Sequence, residues 1–172
     1  PRDAAALGWA QARTRETRTA LESRAVYPQV LAELKSVLVA SAPSPSVALL
    51  GPRAVRLLQD AANPHGLLQV APRLRDGSLG PWRTVLDVAA LRARDGKPYT
   101  LQWYEPREAC LPPEHARCLL RLSPAGADDA ELREFDLERG EFVAGGFEAP
   151  ASRVTAAWLD ADTVAIAHTV GE

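Results

Sequence analysis

The 172-residue sequence has no methionine, two cysteines and two lysines, Lys35 and Lys97. Each scarcity excludes something. Two cysteines, Cys110 and Cys118, do not make the disulfide framework of a small secreted domain. Arginine carries nearly all the positive charge, and the formal net charge is −2. The basic field with which a nucleic-acid binder gathers phosphates is therefore missing. No apolar run approaches roughly eighteen residues, so no helical membrane span is expected. The chain begins at Pro1, so it is read as processed or as a piece of something longer.

The usual chemical signatures are missing too. There is no G-x-S-x-G, the turn that exposes the nucleophilic serine of an α/β-hydrolase. Neither phosphate cradle, G-x-x-x-x-G-K-[ST] or G-x-G-x-x-G, occurs, and there is no H-E-x-x-H zinc motif. No catalytic residue, cofactor-binding residue, metal ligand or cofactor is assigned.

What remains is ordinary globular material, 47% hydrophobic and 24% charged, enough for one domain or a small pair. Asp3 reads as an N-cap, and Ala4 to Glu22 has no proline and few β-branched residues, so a helix is expected there. Its apolar face (Leu7, Ala10, Thr14, Leu21) is thin, which predicts exposure. A second helix starts at Tyr27-Pro28. Tyr27, Val30, Leu31, Leu34, Val37 and Leu38 follow the spacing of one buried face. The prolines of Ser41-Ala42-Pro43-Ser44-Pro45-Ser46 end it in a linker.

After Val47 short apolar runs alternate with turn residues. Expected strands are Val47–Leu50, Ala54–Gln59, Leu67–Ala71, Arg83–Asp87, Thr100–Tyr104, Arg117–Leu122, Glu131–Asp136, Glu141–Ala144, Val154–Leu159 and Thr163–Ala167. A short helix is expected over Val88–Arg94, stopped by Asp95-Gly96. The pair Glu131–Asp136 and Glu141–Val143 has a counterpart in Leu67–Ala71 and Val85–Asp87. A period of about 50 residues suits a four-stranded propeller blade.

Several residues invite a chemical reading. Cys110, His115 and Cys118, spaced C-x4-H-x2-C, offer three ligands of the type zinc takes, but not at a knuckle or ribbon spacing. A local disulfide is a second reading. Buried free thiols are the favoured one, because Cys118 opens an apolar strand where cysteine acts as a small hydrophobe. His65 and His168 sit at a turn and near a strand end, where a lone histidine is usually solvated. Asp128-Asp129 and Asp160/Asp162 lie where turns belong, so their carboxylates are expected to bond backbone. Trp9, Trp82, Trp103 and Trp158 are read as core anchors.

Several stretches taken in order resemble one family. They are Trp9-Ala10-Gln11-Ala12-Arg13-Thr14, the run Gln59 to Leu67 around Asn63-Pro64-His65-Gly66, Trp82 to Leu91, and Cys110-Leu111-Pro112-Pro113. They continue with Arg117-Cys118-Leu119, Gly126-Ala127-Asp128, Arg133 to Leu137, and Trp158 to Thr163. Together they resemble the N-terminal part of the bacterial prolyl oligopeptidase-type serine peptidases. The sequence departs from that pattern in places: Pro124-Ala125-Gly126 stands where the family has a double glycine.

The resemblance implies a mainly β fold with N-terminal α. That is two helices and a linker over residues 1–45, then an incomplete β-propeller over 46–172, about two blades plus a hairpin of a third. It also implies that the catalytic serine, aspartate and histidine belong to a C-terminal α/β-hydrolase domain, the expected partner, and that the propeller admits only short peptides. Open blade edges imply self-association of the isolated chain. Neither nucleic acid nor membrane is an expected partner, and cytoplasm is favoured over periplasm. A stand-alone interaction module derived from such a propeller is the alternative reading.

Overall fold

The computed structural model describes residues 3–40, 46–103 and 106–169. The chain divides into two compact units, Pro1–Ala42 and Pro43–Glu172.

The first unit is a pair of helices, α1 (Ala4–Glu22) and α2 (Tyr27–Ala40). Asp3 caps α1 as expected, its carboxylate accepting the Ala5 N–H at 2.9 Å. Exposed pairs Arg13–Glu16 and Arg18–Glu22 lie along its surface, each contributing a few tenths of a kcal/mol at most. No α1 residue is buried. The apolar stripe of α2 exists, but its expected burial is not found. Val30, Leu31, Leu34, Val37 and Leu38 are all exposed, Leu38 to 75%. Within this unit the thin apolar face of α1 gives the stripe too little to pack against. The linker expected over Ser41 to Pro45 lies outside the described residues.

Among its described residues the second unit contains three antiparallel sheets, none closed into a barrel. The first has the order β1 (Val47–Leu50), β2 (Arg53–Leu58), β3 (Leu67–Pro72), β4 (Arg83–Asp87). Asp87 ends β4 and caps α3 (Val88–Asp95), accepting the N–H groups of Ala89 and Ala90. Gly96 closes α3 in the left-handed conformation, φ 65°, where glycine carries no Cβ penalty.

The second sheet runs β5 (Tyr99–Gln102), β6 (Arg117–Pro124), β7 (Ala130–Asp136), β8 (Glu141–Phe142). Tyr104, at the end of the strand expected before α4, lies outside the described residues. Two elements had no sequence signal: α4 (Pro106–Ala109) and β9 (Glu148–Ser152). β9 carries a proline and a glutamate, which read as loop, yet it pairs with β7 beside β8. The third sheet is the hairpin β10 (Val154–Asp160) and β11 (Thr163–His168).

Two cores form between these sheets. One joins the first two sheets through Leu50, Val55, Leu68, Tyr99, Leu120 and Phe135 with their neighbours. The other joins the second sheet to the hairpin through Leu119, Ala130, Leu132 and Val154. Successive side chains on a strand point to opposite faces, so β6 serves both: Cys118, Leu120 and Leu122 face one core and Leu119 the other. The unbroken apolar run Cys118-Leu119-Leu120 is what a strand buried on both faces requires.

The tryptophans divide. Trp158 lies edge-on to Phe147 at 5.5 Å, Trp103 packs against the first core, and Trp82 lies under the Arg56 guanidinium at 4.1 Å. Trp9 is 67% exposed, so its reading as a core anchor is overturned. It sits on a helix that buries no residue.

Candidate functional site

The cysteines come together. Cys110 and Cys118 form a disulfide across an antiparallel bridge, and no described cysteine is free. The free-thiol expectation is thereby corrected. Strand β6 returns beside the end of α4, and that places the two side chains opposite each other. Sulfurs bonded to each other are not thiolate ligands. The His115 ring is taken up locally, its Nδ1 lying 2.7 Å from the Pro113 carbonyl.

The other flagged residues sit apart. His65 is exposed, and His168 lies by the Thr169 carbonyl at 3.4 Å. Asp128 pairs with Arg153 at 3.0 Å rather than with its own turn. Asp160 accepts the Asp162 N–H at 2.9 Å; this backbone bond and Thr163 hold its carboxyl below the usual range. Among the described residues no group of three or more His, Cys, Asp or Glu side chains converges as a metal site. None of the three histidines has a hydroxyl, thiol or carboxylate as its hydrogen-bond partner.

Two places carry functional geometry. The first is an open groove of about 520 Å³ where the strand ends of the first sheet meet the turn between β7 and β8. Val70, Pro72, Pro81 and Leu137 make its apolar walls, and Arg53, Arg83 and Glu138 its polar rim. Arg53 pairs with Glu138 at 2.8 Å, and Arg83 donates to the Leu137 and Glu138 carbonyls. Such a groove can hold a small apolar group; the one carboxylate of its described lining, Glu138, is engaged by Arg53.

The second place is the polar knot between the second sheet and the hairpin. Glu134 is nearly fully buried. Its carboxylate accepts the Phe147 N–H at 2.9 Å and pairs with Arg117, so the buried charge is both paired and hydrogen-bonded, as burial demands. The Glu134 bond holds the Arg117 guanidinium above its ordinary pKa. Gly146 makes room for the carboxylate: a Cβ there would stand 2.8 Å from Glu134 Oε2. Arg117 then reaches the Ala161 carbonyl at 3.1 Å and covers the Trp158 ring at 5.2 Å. Sequence reading missed this knot; its trace in the sequence is a glutamate two residues after Leu132, on the same face of β7.

No protein-family model matches the chain. An uncharacterized peptidase of Sinorhizobium fredii (y4nA) is 34% identical over 97% of the chain and 23% of its own length. An uncharacterized peptidase of Rickettsia prowazekii is 28% identical over 84% of the chain and 20% of its own length. A solved structure, a post-proline cleaving enzyme from Rickettsia typhi, superposes with a TM-score of 0.66 at 24% identity. It matches 92% of this chain and 24% of that one. The chain thus spans about a fifth to a quarter of the length of the proteins it matches.

Proposed function

Because the chain is homologous, over nearly its whole length, to part of the prolyl oligopeptidase-type peptidases, we propose that it is the N-terminal, non-catalytic part of such an enzyme. Its three sheets are successive blades of an incomplete propeller, about two blades and the opening hairpin of a third. The parent hydrolyses short proline-containing peptides, and the propeller side restricts which peptides reach a serine nucleophile carried on a C-terminal α/β-hydrolase domain. The observation that carries this reading is the 34% identity sustained across 97% of the chain but only 23% of the relative.

One feature of the structure supports it. The exposed stripe of α2 has the spacing of a docking face, and the hydrolase domain is its occupant. Strand β11 is an edge of mostly exposed residues, and none of its side chains is Asp, Glu, Lys or Arg. Charge is one way natural sheets protect an edge, so this chain alone self-associates.

The test is an assay of the chain alone beside the full-length protein on a proline-containing peptide. The chain alone gives no turnover and the full-length protein cleaves after proline. Turnover by the chain alone that serine-directed inhibitors abolish sinks the reading. Sedimentation of the chain alone shows dimers or larger species; a monomer that binds no apolar dye counts against the open edges.

A further inference from the structure

Cys110 and Cys118 are both fully buried, eight residues apart in sequence, and the residue before each one grips the hairpin. Ala109 offers its carbonyl to the Trp158 indole N–H at 3.1 Å. Arg117 donates to the Ala161 carbonyl at 3.1 Å. On its other side the same loop keys into the first sheet: a Cβ on Gly51, in the β1–β2 turn, would stand 2.8 Å from the Pro113 carbonyl. One covalent bond therefore sits among anchors to all three sheets.

We propose that the Cys110–Cys118 pair is a redox-controlled latch on the docking of the hairpin β10–β11. The two anchors differ in how they are held. Arg117 is the first residue of β6, fixed by a ladder to β7. Ala109 ends α4, a helix of four residues, far too short to persist by itself. That end of α4 is joined to β6 by the Leu111 N–H bond to the Arg117 carbonyl at 2.8 Å, and the disulfide is the covalent tie that reinforces it. In the closed form both anchors are fixed; in the open form Arg117 stays and Ala109 is released, and with it the acceptor of the Trp158 N–H.

The chemistry is thiol–disulfide exchange with a dithiol reductant. A reductant thiolate attacks one Sγ, the Sγ–Sγ bond breaks, and the departing cysteine thiolate takes up a proton. The reductant's second thiol then displaces the other cysteine, which is protonated in turn. Two cysteine thiols form and the reductant leaves as its own disulfide. A disulfide donor runs the same steps backward. Because both sulfurs are buried, exchange waits on local opening of the loop. The latch thus reports the redox poise of its compartment, closing where the compartment is oxidising.

The inference is separate from the peptidase reading, since its test reads hydrogen exchange and not turnover. Amide exchange is followed in the full-length protein, oxidised and after reduction by a dithiol, with thiols counted in each state. Reduction is expected to yield two new thiols and to speed exchange in α4, β10 and β11 by about ten- to a hundredfold, the scale set by loop-closure entropy. The β2–β3 ladder should be unchanged. The paired substitution Cys110→Ser with Cys118→Ser should show the fast pattern under either condition. Trp158→Phe should show it in the hairpin while the disulfide stays intact. Equal hairpin exchange in the two redox states overturns the latch. So does a protein whose cysteines stay reduced when refolded with a disulfide donor.

Discussion

The two junctions of the β unit are built by different means. The first, between the first and second sheets, is an apolar core: among the described residues fifteen buried hydrophobics contribute, from Leu50 to Leu137. The second, between the second sheet and the hairpin, has four and makes up the difference with directed bonds. These are Arg117, held in place by Glu134, with the Ala161 carbonyl, Trp158 with the Ala109 carbonyl, and Arg121 with the Val154 carbonyl. Burial is non-directional and scales with area; it holds most of the first junction, where Arg53 with Glu138 and Arg83 with the Leu137 and Glu138 carbonyls add directed bonds at one end. Hydrogen bonds depend steeply on geometry, so the second holds one position and loses it if one anchor moves. A hairpin that must dock on a small apolar patch gains its definition that way.

The largest way to break the contrast is Phe135→Ala. Phe135 is fully buried and meets Phe142 edge-on at 5.0 Å. Truncation should cost about 3–5 kcal/mol and lower the urea midpoint of the whole β unit. A loss below about 1 kcal/mol would mean that the first junction is not the main store of stability.

Next comes Glu134→Gln, which removes the charge and keeps the volume. A fully buried pair costs about 3–5 kcal/mol to break, but Arg117 is one-third exposed, so water compensates part and about 2 kcal/mol is expected. The effect should be local, with proteolysis and exchange rising in β9–β11 while β2–β3 stay protected. A uniform loss across both regions would erase the distinction between the junctions.

The difference between the junctions also explains what the sequence revealed. Strands, turns and helix ends were legible because each is written in neighbouring residues: Asp3 as a cap, Asp95-Gly96 as a stop, short apolar runs between turn residues as strands. The correspondence of Leu67–Ala71 with Glu131–Asp136 was legible as well, since the two segments lie within the third strands of the first two sheets. The second junction was not. Glu134 and Arg117 are seventeen residues apart, and Trp158 and Ala109 forty-nine, with no local pattern joining them. The disulfide was open to reading but assigned to free thiols, because nothing in C-x4-H-x2-C says that β6 returns beside the end of α4. The α2 stripe was seen correctly as a stripe; periodicity says that a face is apolar, not what covers it.

A smaller change should act on both junctions equally. The turn between β6 and β7 places Ala125 at φ 52° and Gly126 at φ 77°. A left-handed alanine is strained by its Cβ. Ala125→Gly should stabilise by a net 0.5 kcal/mol or so, relief of strain being partly offset by the greater freedom of glycine when unfolded. Since β6 and β7 contribute to both cores, global unfolding should shift without any change in relative exchange between hairpin and first sheet.

The smallest effect tests whether the first junction is as apolar as it looks. Tyr99 is buried in that core, yet its hydroxyl donates to Glu131 at 2.7 Å, and Lys97 closes on the same carboxylate. Burial by itself raises the Glu131 pKa, but the Lys97 and Tyr99 hydrogen bonds outweigh it and hold the carboxyl below its ordinary 4.5. A carboxyl depressed in the folded state favours folding once it is ionised. Its contribution is therefore full above the ordinary value and lost as pH falls through the lowered one. Lys97 is half exposed, so solvent screens the pair and only a few tenths of a kcal/mol are at stake. Unfolding of wild type and Glu131→Gln should differ by that amount at pH 6 and converge toward pH 3. A gap that stays constant across the range would show that Glu131 acts through packing and that this junction has no electrostatic component there.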